Sequence, residues 1–494
     1  MSDSAVLLAI DLGTTRLKVA AFSADGQLLG RETARNREHR AYEEDDERVW
    51  QDPDEWWRDV GELTQRLLAR PELDGAEVAG IGLSARANGF AAVDADGTLL
   101  VPSWTDGRHL DQMRLLHEWR ASGYHLANYA AGMVARWRWL EQNEPAIAEQ
   151  TAQLLYAKDF LVYRLTGEAV TDPTSGPDRD DFDPRSVTGL RIDRDLLPRV
   201  GMPWTLAGEV TSDAAAALGI PVGTPVAVGG HDGICANVGA AAGTVGAYAI
   251  TIGTHAVVRA VTDDLVTDGY RFYGLPPDRH IYGGNAVMAG RAADWFLDTW
   301  LGHPDEDARL DAFAAMDAAA MGVAPGSEGV RFLPFLAGQV APELRPGASG
   351  AFVGLHGAHG RAEMFRAVLE GGGFAIRAIF EQVLEWGGDP TLVRFTGSGG
   401  ASPLWPQIIV DMLRRPVEAT DGAVEARGAA MYAAVALGMY DDIDQAAEAM
   451  VQVSRVVQPD TERADRYDAL YEDWQRVNEA LRPLDQRDEI TGHL

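Results

Sequence analysis

The chain has a single cysteine, Cys235, in 494 residues. One thiol cannot form an intramolecular disulfide, and its isolation excludes zinc sites that need several cysteines. No apolar run reaches the ~18 residues that a membrane-spanning helix requires. The apolar segment at residues 5–10 is short, lacks a preceding basic region and leads directly into Asp11, so we expect a first strand and not a signal peptide. These absences predict a cytoplasmic protein without a membrane partner.

Basic residues are scarce as well. The chain has 43 Lys and Arg against 74 Asp and Glu, which gives a formal net charge of −31 at pH 7. Such a field would repel the phosphates of a nucleic acid, so we expect no nucleic-acid partner. An anionic nucleotide would need local protection by N–H groups, a cationic side chain and a bound cation. Lys18 and Arg16 are candidates for that side chain.

A short repeat is the most informative feature that the chain does contain. The segment AIDLGTT at 9–15 returns as AITIGTH at 249–255. Each copy reads as a strand, a Gly-Thr turn and a second strand. Glycine lets a backbone approach an anion closely, and threonine hydroxyls and turn N–H groups donate to phosphate oxygens. The repeat predicts two related halves, with coincidence as the alternative; the candidate phosphate contacts are Gly13, Thr14, Thr15, Gly253 and Thr254.

The length and the repeat together predict two large domains, because 494 residues exceed what one hydrophobic core usually serves. We place the boundary in the glycine-rich stretch before the second copy of the repeat. The predicted domains are residues 1–245 and 246–484, followed by a polar tail at 485–494.

Residues 50–68 predict an amphipathic helix. Asp52 before Pro53 gives a capped start with proline near the first helical position. A helical spacing then brings four apolar residues onto one stripe. These residues are Trp56, Val60, Leu63 and Leu67.

Asp232 is the sharpest single candidate for chemistry. It lies within VAVGGHDGICANVG at 226–239, where a predicted strand ends, glycines turn and a helix begins. A helix N-cap is the structural alternative, since aspartate is favoured there. The helix dipole favours the ionised carboxylate, which is then ready to accept a proton from a substrate hydroxyl during phosphoryl transfer. Positioning dominates over base strength when the transition state is loose.

Two glycine-rich segments lie in the second half. Residues 397–402 follow a predicted strand and open a predicted helix, which is a generic nucleotide contact. This segment has neither the dinucleotide-binding spacing nor the lysine of a P-loop. Residues 371–373 are three glycines inside a predicted helix at 361–384. They indicate close approach by a ligand or by a neighbouring part of the chain, and both interpretations remain open.

Over nearly its whole length the chain resembles the FGGY carbohydrate kinases of the actin, Hsp70 and sugar kinase superfamily. The resemblance implies an α/β protein with two ribonuclease H-like (actin-like ATPase) domains flanking a nucleotide cleft. The motifs that carry it are Asp11–Thr15 and Thr251–Thr254 for phosphate, Thr396–Trp405 for adenosine, Lys158–Glu168, and the later signature at Gly350–Leu355 and Glu363–Glu370.

The resemblance also implies site residues and cofactors. The first domain would bind the sugar and supply Asp232 as the catalytic base, and the second would bind ATP. Asp11 would hold Mg²⁺ directly or through water, and Asp232 would be the second metal contact. The other implied nucleotide contacts are Lys18, Gly399, Gly400 and Ala401.

The sugar site departs from the family. Xylulose kinases commonly show Ser-Gly-Gln-Met-His-Gly where this chain has SARANG at 84–89, so the Met-His pair is missing. Glycerol kinases typically carry Arg-Glu near this point, whereas Arg86 is followed by alanine. Arg136 stands where a lysine is usual, and residues 104–108 keep the Trp-x-Asp-x-Arg pattern. The substrate residues implied by resemblance are Arg86, Asn88, Trp104, Asp106, His231 and Asp232, with packing or a structural role as the alternative for Trp104, Asp106 and His231.

We therefore expect an ATP- and Mg²⁺-dependent kinase that phosphorylates a hydroxyl of a ketose or polyol, with a pentulose as the first guess. A deoxyhexulose or tetritol kinase is an alternative. A non-catalytic, nucleotide-gated sugar-binding regulator on the same fold is the alternative from another class. The intact Asp11, Gly13, Thr14 and Asp232 disfavour the regulator. By resemblance, a homodimer is a candidate assembly.

Overall fold

The computed structural model describes residues 5–43, 46–86, 89–112, 128–175, 192–253, 255–266, 271–275, 278–286, 288–302, 306–420 and 422–485. The chain divides into two compact units. The first unit consists of Met1–Ala241, Gly274–Pro276 and Ala423–Val451, and the second of Ala242–Tyr273, Pro277–Gly422 and Gln452–Leu494. Within the described ranges, no helix is both long and apolar enough to span a lipid bilayer.

The secondary structure is mixed. The strands are β1 Ala5–Leu12, β2 Arg16–Phe22, β3 Leu28–Arg35, β4 His39–Glu43, β5 Asp46–Gln51, β6 Glu77–Ala85, β7 Ala91–Val93, β8 Leu99–Val101, β9 Ser103–Trp104, β10 Gln153–Leu155, β11 Val170–Thr171, β12 Arg199–Val200, β13 Leu206–Glu209, β14 Pro225–Ala227, β15 Gly230–His231, β16 Ala247–Ile252, β17 Ala256–Thr262, β18 Arg271–Leu275, β19 Arg279–Ala286, β20 Arg331–Leu333, β21 Ala351–Val353, β22 Leu392–Thr396, β23 Val417–Thr420 and β24 Val453–Val457. The α-helices are α1 Pro53–Leu68, α2 Asn128–Asn143, α3 Pro145–Gln150, α4 Ala157–Thr166, α5 Ser212–Leu218, α6 Asp232–Gly239, α7 Ala289–Leu301, α8 Glu306–Met321, α9 Arg361–Gly387, α10 Trp405–Leu413, α11 Val424–Ala436, α12 Ile443–Met450 and α13 Thr461–Leu481.

The central sheets of the two units have the same topology. Six strands of each sheet correspond, in the orders β3-β2-β1-β6-β14-β13 and β19-β17-β16-β22-β23-β24. The seventh strand differs: β15 pairs with β6 in the first sheet, and β18 lies beside β19 at the edge of the second. Along each of these orders, the first two strand pairings are antiparallel, the next two are parallel and the last is antiparallel. The two copies of the sequence repeat are equivalent, because β1 and β16 occupy the same position in their sheets. The prediction of two related α/β halves is confirmed.

Helix α1 shows how the sequence builds the first unit. The Asp52 side chain accepts a hydrogen bond from the Asp54 backbone N–H, and Pro53 is the first helical residue, as predicted. The four apolar residues of the predicted stripe are buried in the core that covers the first sheet. Burial of such a stripe stabilises the helix more than its intrinsic propensity does. The stripe consists of Trp56, Val60, Leu63 and Leu67.

The three glycines at 371–373 are a packing device within the second unit. They lie in the buried part of α9. A Cβ on Gly371 would overlap the Phe332 carbonyl oxygen, and one on Gly373 would lie 2.8 Å from Met412 Sδ. Backbone and side chains of the protein therefore occupy the space that a side chain would need. Of the two interpretations left open above, the structure supports close packing.

The compact units are not two consecutive stretches of chain, because the chain returns to the first unit at Gly274–Pro276 and again at Ala423–Val451. Helices α11 and α12 belong to the first unit, although they follow most of the second unit in the chain. A Cβ on Gly239 would overlap the Val424 carbonyl oxygen, and one on Gly428 would overlap the Cys235 carbonyl oxygen. Such backbone contact requires glycine, and it joins α11 to α6. A local reading of the sequence cannot detect this return of the chain.

The predicted polar tail begins at Asp485. Asp485 forms an ion pair with the buried Arg345, whose Nη2 lies 2.8 Å from Asp485 Oδ2. The first residue of the predicted tail is therefore bound to a residue of the second unit. Residues 486–494 lie outside the described ranges.

Candidate active site

Three of the predicted site residues meet at one edge of the first sheet. Asp11 is near the end of β1, Arg86 follows β6, and Asp232 follows β15. Strand β6 pairs in parallel with both β1 and β15, so that Asp11 and Gly230 lie on either side of Ser84. The carboxyl ends of parallel strands form the usual ligand-binding edge of an α/β sheet. The topology therefore gathers residues that are far apart in sequence.

The first Gly-Thr turn exposes its hydroxyls. The Gly13 N–H donates to the Arg16 carbonyl at 3.0 Å and closes the hairpin. Asn36 Nδ2 donates to the carbonyls of Gly13 and Thr14 at 2.8 and 3.1 Å, which fixes the turn from one side. Thr14 and Thr15 are exposed. Both residues are therefore open to solvent, and their contact with phosphate stays a prediction.

Asp11 is the centre of an ion-pair network. Its buried carboxylate accepts from Lys18 Nζ at 2.9 Å and from Ser84 Oγ at 2.8 Å. Glu425 Oε2 lies 3.7 Å from the same Lys18 Nζ. The charge of Asp11 raises the pKa of Lys18, while burial raises the pKa of Glu425. Lys18 is therefore a fixed cation at this edge.

Sequence reasoning missed two members of this network. The sequence shows Ser84 only as the first residue of the segment SARANG at 84–89. Its place opposite Asp11 follows once β1 and β6 are paired. Glu425 comes from α11, which no local pattern connects with the N-terminal hairpin. The tertiary fold alone brings Glu425 to this network, so the sequence carries no signal for it.

His231 positions Asp232. The Nδ1 atom of His231 accepts the Gly233 backbone N–H at 3.1 Å, so His231 caps α6. Asp232, the candidate cap, is the first helical residue, and its Oδ1 accepts the same Gly233 N–H at 2.7 Å, so the histidine and the aspartate share this donor. Since Nδ1 accepts, the assigned tautomer has its proton on Nε2, which lies 3.0 Å from Asp232 Oδ1 and donates to it. The Asp232 side chain is 33% exposed and is open to a substrate.

A buried ionic cluster supports this histidine. Lys158 Nζ lies 2.8 Å from Asp159 Oδ1 and 3.3 Å from Asp172 Oδ1. Thr174 Oγ1 donates to Asp172 and accepts the backbone N–H of His231 at 3.0 Å. The backbone of the residue before Asp232 is thus hydrogen-bonded to Thr174, which connects it to Asp172 of this cluster.

Arg86 lies beside the Gly-Thr turn and is almost completely buried. Its Nη1 makes a long hydrogen bond of 3.4 Å to the Thr14 carbonyl, and its guanidinium lies 5.2 Å from the centre of the Trp56 ring. Burial lowers the pKa of Arg86 to about 10, against the opposing charge of Asp232. Arg86 therefore stays charged at neutral pH.

Trp104, Asp106 and Arg108 form a separate cluster in the same unit. Asp106 accepts from Arg108 Nε at 2.7 Å and from the Val49 N–H at 2.8 Å. Burial opposes ionisation of Asp106, but these hydrogen bonds lower its pKa below the usual value. The Arg108 guanidinium lies 5.0 Å from the Trp104 ring centre, and Trp104 is buried against Phe90. Trp104 therefore contributes to a core; its predicted contact with sugar stays a prediction.

The second unit repeats the pattern with a threonine in place of the aspartate. Thr251 occupies the position of Asp11, and its Oγ1 accepts from Thr396 Oγ1 at 2.8 Å and from Arg259 Nη1 at 3.0 Å. The Gly253 N–H closes the second turn by donating to the His255 carbonyl at 2.9 Å. A Cβ on Gly399 would overlap Ile252, so the predicted glycine turn lies against this hairpin. Gly400 follows in a 3₁₀ turn at Ser398–Ala401.

Some predicted residues cannot be placed. Asn88 and Thr254 lie outside the described residues, and the side chain of Ala401 is not described. Their roles remain predictions.

Comparison with known proteins identifies the family. The model of the FGGY family of carbohydrate kinases, N-terminal domain, matches residues 6–239, and that of the C-terminal domain matches residues 241–437. The chain belongs to the FGGY family of carbohydrate kinases. It is a phosphotransferase that uses ATP and an alcohol group of a sugar or polyol as acceptor.

Relatives of this FGGY kinase match over nearly their full length. The xylulose kinase of Escherichia coli strain K12 is 27% identical over 97% of this chain and 99% of its own. The gluconokinase of Bacillus subtilis strain 168 is 26% identical over 89% of each chain. The crystal structure of xylulose kinase from Rhodospirillum rubrum is 25% identical, with a TM-score of 0.83 and coverage of 98% of this chain and 100% of that chain. The fold is the actin-like ATPase fold of this family.

The donor set at the sheet edge fits Mg²⁺ held mainly by substrate. Among the described residues, no group of three or more His, Cys, Asp or Glu side chains forms a metal cage. Mg²⁺ commonly binds through one or two carboxylates, several waters and the phosphates of a nucleotide. A carboxylate has about four lone-pair sites, and Asp11 uses two of its sites for Lys18 and Ser84. Asp11 and Asp232 are hard oxygen donors suited to such a site.

Proposed function

We propose that this FGGY kinase uses Asp232 as the base that receives the proton of the acceptor hydroxyl. The observation that carries the proposal is the placement of Asp232. Asp232 is the first residue of α6. Its carboxylate receives a hydrogen bond from His231 and remains partly exposed at the sheet edge that also carries the Gly13–Thr15 turn. The helix dipole favours its ionised form.

The chemical step follows from that position. The acceptor oxygen forms a bond to the γ-phosphorus of ATP while the bond from that phosphorus to the bridging oxygen of ADP breaks. The hydroxyl proton passes to the Asp232 carboxylate. In a loose transition state the hydroxyl is a weak acid until late, so the main contribution of Asp232 is to orient the acceptor oxygen.

ATP contacts are assigned in both units. In the first unit, Lys18 and the turn hydroxyls offer donors to phosphate oxygens, and Asp11 holds Lys18 in place. Mg²⁺, when bound, neutralises phosphate charge, and Asp11 and Asp232 are the residues that would hold it. The proposed ATP contacts are Gly13, Thr14, Thr15 and Lys18, with Gly253, Thr254, Gly399, Gly400 and Ala401 from the second unit.

The acceptor is a small polyhydroxylated molecule. Among neutral acceptors a pentulose comes first, because relatives include xylulose kinases; a deoxyhexulose or a tetritol is the alternative. Relatives named gluconokinase leave acidic sugars open as well. The proposed acceptor contacts are Arg86, Asn88, Trp104, Asp106, His231 and Asp232.

The proposal extends to the cellular setting. We expect a cytoplasmic enzyme that binds no nucleic acid, since its formal net charge is −31. A homodimer is the expected assembly by resemblance. ADP release measured with Mg²⁺-ATP and a panel of acceptors tests the function; a flat response with intact ATP binding would favour the non-catalytic regulator.

A further inference from the structure

Two buried arginines in the first unit have guanidinium nitrogens that nothing in the described part of the chain satisfies. Arg86 is 4% exposed and Arg136 is 7% exposed. Nε and Nη2 of Arg86 and Nε of Arg136 have no hydrogen-bond partner among the described residues. Buried polar groups are normally hydrogen-bonded, and buried charges are normally paired. Donors left over in a buried cation indicate a ligand.

The two cations act on each other. Burial lowers the pKa of Arg136 to about 10, and the charge of Arg86 is the next cause. Arg136 lies on α2, and its Nη1 donates only to a backbone carbonyl, that of Gly132, at 3.1 Å. Arg86 lies at the sheet edge that carries Asp232. The two arginines therefore connect the sheet edge that carries the proposed base, Asp232, with helix α2.

The neighbouring charges do not neutralise this pair. Asp106 attracts Arg136 but already accepts two hydrogen bonds from the Arg108 guanidinium and one each from the backbone N–H groups of Arg108 and Val49. His109 contributes no negative charge: burial, followed by the charge of Arg136, lowers its pKa to about 3, and the ring is neutral at pH 7. Asp232 and Glu38 both attract Arg86, but Asp232 is held by His231 at the helix start and Glu38 pairs with Arg40 at 2.6 Å.

The chemistry of a matching ligand follows. A sugar hydroxyl satisfies one N–H but leaves the positive charges uncompensated in a buried place, which is unfavourable. A carboxylate is planar, carries the opposite charge and accepts the parallel hydrogen bonds that a guanidinium offers. A sugar acid combines such a carboxylate with hydroxyls for phosphorylation.

We propose that the acceptor is a sugar acid whose carboxylate binds Arg86 and Arg136 while one of its hydroxyls reaches Asp232. This inference rests on the proposed function and chooses among the acceptors that the function leaves open. It assigns Arg136 as a specificity-determining residue.

The first arm of the test compares acceptors of matched length with the full chain. ADP release is measured for xylonate against xylulose and xylitol, and for gluconate against fructose and sorbitol. Fructose 6-phosphate is included because a phosphate ester is the other anion a sugar carries. We expect kcat/KM for one of the acids to exceed that of its neutral counterparts at least tenfold. A preference for a neutral ketose or for the phosphate ester would overturn the inference and leave the kinase function intact.

The second arm removes the charge of Arg136. Truncating one partner of a buried, hydrogen-bonded charge pair weakens binding about 30-fold or more, so Arg136→Gln should lower kcat/KM for the acid by that factor relative to the neutral acceptor. Arg136→Lys, which keeps the charge, should recover part of the loss. Arg138→Gln is the matched control, because Arg138 lies two residues further along α2 and pairs with Glu141 at 3.2 Å. In this variant the ratio of kcat/KM for the acid to kcat/KM for the neutral acceptor should stay unchanged.

Three results have distinct meanings. A lower Tm for Arg136→Gln without a change in the acid-to-neutral ratio would show that a carboxylate of the chain itself pairs with Arg136, and the inference would be wrong. An equal fall in kcat/KM for the acid and for the neutral acceptors in Arg136→Gln would also overturn the inference. If no acceptor stimulates ADP release, the proposed function fails, and the inference fails with it.

Discussion

His231 Nε2 lies 3.0 Å from Asp232 Oδ1, while Nδ1 of the same ring accepts the Gly233 N–H. One side chain thus caps α6 and donates to the carboxylate that begins it. The geometry explains how a partly exposed aspartate keeps a fixed orientation. It also gives His231 a positioning role besides the sugar contact proposed for it.

His231→Phe should lower kcat about tenfold or more, because a hydrogen bond to a charged group contributes ~1.5–3 kcal/mol. The ring volume is kept, so the KM for ATP should change less than about twofold. Steady-state kinetics with ATP and acceptor varied in turn measure both constants. Loss of the cap alone would lower the free energy of unfolding by about 1 kcal/mol. A lower Tm with unchanged kcat would therefore contradict the positioning role.

Lys18 and Glu425 offer a matched pair of opposite charge changes. Lys18→Gln should raise the KM for ATP about tenfold or more, since a charged donor to phosphate is lost. Glu425→Gln removes a negative charge near the same site and should lower that KM. The KM for the acceptor should move less in both variants. Equal increases in the ATP constant would mean that the Lys18–Glu425 contact at 3.7 Å only maintains structure.

Lys158→Met should destabilise the protein by ~3–5 kcal/mol, because it leaves Asp159 and Asp172 as buried carboxylates without their cation. Chemical denaturation measures the loss. The double variant Lys158→Met/Asp172→Asn should regain part of the stability, since one unpaired charge is gone. No difference between the single and double variants would show that Asp172 does not depend on Lys158.

Gly239→Ala tests the return of α11 to the first unit. A Cβ there would overlap the Val424 carbonyl, and overpacking of this kind typically costs about 1–3 kcal/mol. Gly422→Ala is the control, because nothing lies within 4 Å of its added Cβ. Its free energy of unfolding should change by less than ~0.5 kcal/mol. Equal effects of the two substitutions would argue against close contact between α6 and α11.

Local sequence patterns predicted part of this site. The Gly-Thr repeat predicted two halves of like topology, and the glycine turn before Asp232 predicted the start of α6. The remaining features depend on the fold. Glu425 reaches Lys18 through α11, and Ser84 reaches Asp11 across a strand pairing. That His231 shares the Gly233 N–H with Asp232 depends on a side-chain rotamer that no sequence pattern encodes.

The acceptor was the least predictable feature, for a physical reason. The proposed specificity rests on Arg86 and on Arg136 of α2, and their mutual repulsion exists only once the chain is folded. The sequence marked both positions as departures from the family pattern. It could not show that their guanidinium nitrogens are buried and lack partners within the described residues.

The most direct test of the central claim is acceptor-stimulated ADP release by the native chain and by Asp232→Asn. The variant should bind ATP normally while its turnover falls about 10²–10⁴-fold, as expected on loss of a base and positioner. Near-normal turnover of Asp232→Asn would contradict the role of Asp232 and the proposed mechanism.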